Sequence, residues 1–150
     1  MKQILSNFKY AGEPYSCESF GNGHINSTYK IECKSGNKIT RYILQKINSN
    51  IFSDTDALIE NIENVTGFLK EKIAMLGGDV LRETLSLVPT VEGKNYYTDE
   101  NGENWRSYIC IEDTVCYDKI ENPKDFYNCG YAFGNFQNLF EFHLIIYYDI

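Results

Sequence analysis

Phe20-Gly21-Asn22-Gly23-His24-Ile25-Asn26-Ser27-Thr28-Tyr29 sets two glycines and two asparagines between runs that read as strand. Glycine, and asparagine to a lesser degree, reaches the positive-φ backbone of tight turns. A turn of that kind between two strands can aim several backbone N–H groups at one anion, because no Cβ holds the ligand away. On spacing alone, an ordinary β-turn is the simpler account of G-x-G in a hairpin. The surrounding chain changes that balance.

Tyr15 to Phe20 leads into the turn, and Thr28 to Cys33 resumes with Tyr, Ile and Cys alternating against Lys and Glu. Ser35-Gly36-Asn37-Lys38 is a second turn by composition, and a third strand runs from about Ile39 to Ile47. Short loops between three strands predict an antiparallel meander. A helix follows, with Ser53 as N-cap, Asp54 and Asp56 in its first turn, and Gly77-Gly78 as its stop. Leu58, Ile62, Val65, Leu69, Ile73 and Leu76 give it one apolar stripe, which should cover the sheet.

Leu85 to Val91 is a fourth strand candidate, with Pro89 marking an edge or a bulge. Asn95 to Thr98 and Trp105 to Ile111 flank a hairpin tip, Asp99 to Glu103. Glu112 to Lys124 is polar and reads as a connector. A second helix is expected from Asp125 to about Phe140, with Phe126, Cys129, Phe133, Phe136 and Phe140 on one face. Gly130 and Gly134 on that helix point to close approach of another backbone. From Phe140 onward the apolar residues alternate as in an unprotected edge strand.

Composition narrows the function classes. The 150 residues carry 14 Lys+Arg and 21 Asp+Glu, a net charge of −7. That balance disfavours nucleic acid and anionic membranes, both of which need a basic surface. Hydrophobic residues at 43% and aromatics at 15% supply a core and argue against disorder. No run approaches the ~18 apolar residues of a membrane span, and Met1 to Pro14 has no signal-peptide core. The five cysteines are an odd set without C-x-x-C, so reduced, mostly buried thiols in a cytoplasmic protein are expected.

The ordered motifs extend the reading. Phe20 to Tyr29, Tyr42-Ile43-Leu44-Gln45-Lys46-Ile47-Asn48, Ala57 to Thr66, Trp105-Arg106-Ser107-Tyr108 with Ile111-Glu112, and Gly130 to Gln137 together resemble the N-acetylhexosamine 1-kinases. Those belong to the aminoglycoside-phosphotransferase and choline-kinase-like group. The resemblance implies an α+β fold: a protein-kinase-like small lobe with an antiparallel sheet of about five strands covered by one long helix. It implies a nucleotide-binding lobe over residues 1–112, a hinge over 113–124, and the first helix of a truncated large lobe over 125–150.

The same resemblance implies site residues. Gly21, Asn22, Gly23, His24 and Asn26 form a flap over the ATP phosphates, with Thr28 and Ile43 in the nucleotide site. The phosphate-holding position of the third strand is Gln45 by register, a neutral residue, with Lys46 on the opposite face as the alternative. Glu60 or Glu63 stands for the helix carboxylate that pairs with a strand cation, though a solvated helical acid explains either. Ile109, Ile111 and Glu112 line an adenine slot, and the backbone at Glu112 and Asp113 reads the base edge. Trp105 is expected in the core, and His143 is incidental.

The family's His-Gly-Asp motif, which supplies the base and leads to the Mg2+ ligands, is not in this sequence. The expectation is therefore an ATP-binding lobe without turnover, whose N-acetylhexosamine acceptor and metal belong to a lobe beyond it. The alternative is a non-catalytic nucleotide- or protein-binding module, self-associating through its apolar C-terminal segment.

Overall fold

Three strands, β1 (Glu13–Ser19), β2 (Ser27–Ser35) and β3 (Lys38–Lys46), form the expected meander in a computed structural model. It describes residues 1–21, 23, 25–114, 119–120 and 122–144, without the side chains of 141–144. Gly36, at φ 60°, turns β2 into β3, and unbroken pairing from Ser27↔Lys46 to Ser35↔Lys38 fixes the register. The chain divides into two units, Met1–Glu112 and Asp113–Ile150.

The first unit opens with α1 (Lys2–Leu5), an element the sequence did not announce. After the meander come α2 (Thr55–Met75), β4 (Tyr97–Thr98) and β5 (Asn104–Ile109). The sheet is antiparallel with order β1-β2-β3-β5-β4, so β3 and β5 lie side by side. Leu85 to Val91 is not a strand. It runs along β5 by a single bridge, Leu87↔Tyr108, and reaches Phe8 through Thr90. Pro89 has no N–H to continue a ladder, so the segment stays an irregular edge.

One face of the sheet holds the main core. Ile31, Cys33, Tyr42, Leu44 and Trp105 meet Ile4, Phe8 and Val88 there. Burial pushes the Cys33 thiol up to about 11. Of the described cysteines only Cys33 is buried, with Cys17 and Cys110 half-buried and Cys129 exposed, so the mostly buried thiols expected are not found. The Tyr10 hydroxyl donates to Ser107 Oγ at 3.0 Å, and Ser107 donates on to the Ile43 carbonyl at 2.9 Å. Trp105 is buried as expected, its indole N–H on Asp99 Oδ2 at 2.9 Å. Asp99 also accepts the backbone N–H groups of Asn101 and Glu103, which is why this acidic tip closes a tight hairpin.

The helix α2 begins one residue later than expected. Asp54, not Ser53, is the N-cap, its Oδ1 accepting the Ala57 N–H at 2.9 Å. Thr55, Ile59, Leu69 and Ile73 are its buried residues, while Leu76 is 75% exposed. Leu76 is the C-cap, beyond the last residue of the helix. Gly77 (φ 75°) donates to Ala74 O and Gly78 to Ile73 O, the bond pair of a Schellman stop. The helix starts on the sheet face away from the main core. Asn104 of β5 shares that face with Gln45 and Arg106 by alternation, and its amide donates to Thr55 Oγ1 at 2.8 Å.

In the second unit, α3 (Pro123–Leu144) starts with proline at its first position and Asn122 Oδ1 accepting the Lys124 N–H. It continues through Leu144, so the strand expected from Phe140 is helix over its first residues. Residues 145–150 of that expectation lie outside the described residues. An isolated strand has no partner for its backbone, whereas helix growth satisfies each added N–H, and Phe136 meets Phe140 at 5.0 Å. A Cβ at Gly130 or Gly134 would meet nothing within 4 Å, so the expected close backbone is not found among the described residues. No helix among them is long and apolar enough to cross a membrane.

Candidate functional site

The glycine-rich turn is fastened at both ends. Phe20 N–H donates to the Thr28 carbonyl at 2.9 Å, closing the turn where β2 begins. Gly21 sits at φ 77°, a backbone that other residues rarely adopt. Asn22 and His24 lie outside the described residues. Asn26 Oδ1 accepts the Asn48 N–H at 3.0 Å, and Asn48 Nδ2 donates to the Ile25 carbonyl at 3.0 Å. The Asn26 side chain therefore clasps the turn to the end of β3. Asn48, missed as a functional residue, is the other half of the clasp.

This clasp has a measurable consequence. Asn26→Ala removes the acceptor of the Asn48 N–H, a loss of about 1 kcal/mol for one neutral bond. Amide exchange at Asn48 is expected to quicken about fivefold in that variant, with the core amides of Ile31 and Leu44 unchanged. Exchange followed by NMR checks it, and an unaltered Asn48 amide would mean the clasp does not hold the turn.

A cavity of about 550 Å³ adjoins the turn, lined by Gly21, Gly23, Asn26, Lys46, Asn48 and Glu103 among others. Lys46 reaches it already neutralised, its Nζ 3.3 Å from Glu103 Oε1. Gln45 points the other way. Its Nε2 donates to Thr28 Oγ1 at 3.1 Å, and its Oε1 accepts Arg106 Nε at 3.2 Å and Nη2 at 3.0 Å. Thr28, Gln45 and Arg106 are register partners across β2, β3 and β5, so they form one row on one face. Burial lowers the Arg106 pKa below the usual arginine range.

The next row on that face is Lys30, Ile43 and Tyr108. Ile43 is buried, and burial raises the Tyr108 pKa above the usual phenol range. Ile109, expected in the adenine slot, is packed against the main core on the opposite face instead. Strand alternation puts Tyr108, not Ile109, on the face of Gln45 and Ile43. Counting parity from Gln45 along the paired strands would have found both Arg106 and Tyr108; the pairing of β3 with β5 was the missing information.

At the far end of the sheet, Arg41 lies between two acids, 2.7 Å from Glu32 and 3.1 Å from Glu112. The Tyr15 hydroxyl and then Arg41 hold the Glu32 carboxyl below the usual carboxylate range. The Glu112 carbonyl, expected at a base edge, accepts Arg82 Nη1 at 3.1 Å. Ile111 is half-buried beside it. Asp113, the first residue of the second unit, adopts a left-handed φ of 55°.

The helix acids are not joined to this row. Glu60 is exposed on α2, and Glu63 is hydrogen-bonded by Asn95. Gln45 is neutral and offers neither acid an ion pair, and Arg106 donates its two described hydrogen bonds to Gln45 Oε1. Among the described residues, no group of three or more His, Cys, Asp or Glu could hold a metal. No model of a known protein family matches the chain.

Proposed function

We propose that Met1–Glu112 is a nucleotide-binding lobe of the kind that serves phosphoryl transfer to sugars. The observation that carries this reading is that both ends of the glycine-rich segment are pinned to the sheet, by Phe20–Thr28 and by Asn26–Asn48, with Gly21 at positive φ. A turn tied at both ends, with a positive-φ glycine beside one of the ties, suits main-chain donation to phosphate oxygens. The order of hairpin, third strand, long helix and returning strands supports the same reading, as does the resemblance of the motifs to N-acetylhexosamine 1-kinases. Gly21 and Gly23 would approach the phosphates of ATP, and Ile43 with Tyr108 would offer an apolar surface to the base.

In the wider reading, Mg-ATP gives its γ-phosphoryl to the anomeric hydroxyl of an N-acetylhexosamine. No described residue is assigned to the sugar or to magnesium, so the assignment to this chain is nucleotide binding. Calorimetric titration with ATP, with and without magnesium, tests it. Saturable binding is expected, and its loss in Gly21→Val, because a β-branched residue cannot take φ 77° without distorting the turn. Absence of saturable binding at millimolar ATP would overturn the reading.

A second reading, a protein-binding module, is favoured by α3, on which Phe126, Tyr127, Tyr131 and Phe133 are exposed. Self-association seen by sedimentation, abolished in Phe133→Ser with Phe136→Ser, together with no ATP binding, would favour it over the first.

A further inference from the structure

We propose that Arg106 is the cation that receives the polyphosphate of the nucleotide, with Gln45 as the residue that positions it. The inference rests on the nucleotide-binding reading and names the anion subsite within it.

The starting observation is a charge without a counter-ion. Arg41 is matched by Glu32 and Glu112, and Lys46 by Glu103. Arg106 is half-buried, yet none of the described ion pairs includes it, and its hydrogen bonds go to a neutral amide. Its Nη1 is buried with no partner at all. Folded proteins pair their buried charges and satisfy nearly all buried donors, because each failure costs free energy. A half-buried guanidinium in this condition is suited to receive an anion.

Position and geometry make that anion a polyphosphate. The Thr28–Gln45–Arg106 row begins at Thr28, whose carbonyl closes the glycine-rich turn. Two strand spacings, about 10 Å, separate the first Cα of the row from the last. A phosphate chain held at the turn can therefore reach the guanidinium along the row. The planar fork of arginine suits two phosphate oxygens at once, which an ammonium does not. As the side chain stands, Nη1 is shielded. Presenting it takes a rotation that exchanges the Gln45 amide oxygen for an anionic one, a stronger acceptor. Gln45 thus keeps the cation oriented without cancelling its charge, which a glutamate at that position would do. The neutral third-strand residue and the cation on β5 are two parts of one arrangement.

Calorimetric titration of the full chain with ATP, adenosine and inorganic tripolyphosphate tests this in four variants. Arg106→Gln is expected to weaken ATP and tripolyphosphate roughly ten- to hundredfold and to leave adenosine unchanged. Arg106→Lys should fall between that variant and wild type. Gln45→Glu, nearly isosteric, supplies an internal counter-ion: it should raise the melting temperature while weakening both phosphate ligands. That opposition of stability and affinity is not expected of a merely structural residue, and it decides the matter should Arg106→Gln fail to fold.

Unchanged ATP and tripolyphosphate affinities in the folded variants overturn the inference and leave the nucleotide reading intact. So does a loss confined to Lys46→Ala. Tripolyphosphate binding that depends on Arg106, with no gain from the adenosine of ATP, supports the anion subsite and sinks the nucleotide reading. Wild-type protein that binds neither phosphate ligand overturns both.

Discussion

Leu44→Ala is expected to destabilise the first unit by about 3–4 kcal/mol, within the usual range for truncating a fully buried leucine. Leu44 has no exposed surface, and β3 is flanked by β2 and β5, so neighbouring backbone cannot close on the void. Its register partners are Tyr29 and Ser107, and the second of these is tied to Tyr10 and to the Ile43 carbonyl. Relaxation into the cavity would have to break that hydroxyl chain. Urea denaturation should show a lower midpoint with an unchanged slope. The comparison is Leu76→Ala, which removes a side chain that is 75% exposed and should change stability by less than about 0.5 kcal/mol. Equal losses at the two positions would mean that the core does not lie on the Leu44 face.

Leu76 shows what periodicity alone can and cannot read. Its spacing continues the apolar stripe of α2, but the stripe outlasts the helix: Leu76 caps it, and the chain leaves through Gly77. The meander was legible to within about two residues at each end because alternation, turn glycines and short loops all agreed. Leu85 to Val91 was not, since its composition suits a strand while Pro89 forbids the ladder. The same limit governs the candidate site. Gly21, Asn26 and Gln45 could be chosen from local motifs. The partners that give them a role, Asn48, Arg106 and Tyr108, depend on which strand lies beside which. The placement of β5 next to β3 is a long-range fact, decided by core packing and by a helix inserted between the two in sequence. Local propensity carries no record of it.

Gly12→Ala is expected to cost about 3 kcal/mol or more, although nothing in the sequence distinguishes Gly12 from the other turn glycines. Two independent effects meet there. Gly12 has φ 114°, a backbone region essentially closed to residues with a Cβ, which alone costs of order 1–3 kcal/mol. A Cβ would also fall 2.6 Å from both the carbonyl carbon and oxygen of Lys34 and 3.0 Å from the Ser35 nitrogen. Those atoms cannot retreat, because Lys34 is paired with Glu13 on one side and with Ile39 on the other. Relief requires opening the end of the β1–β2 ladder. Two further substitutions separate the effects. Gly36→Ala, at φ 60° with open space around it, suffers only the backbone penalty and should cost about 1 kcal/mol. Gly67→Ala lies inside α2 with open space and no positive φ, so it should stabilise by about 0.5–1 kcal/mol through helix propensity. Denaturation midpoints should therefore rank Gly67→Ala above wild type, then Gly36→Ala, with Gly12→Ala well below. A Gly12→Ala protein no weaker than Gly36→Ala would show that β1 does not dock against β2 at Lys34, and the hairpin that presents the glycine-rich turn would need a different register.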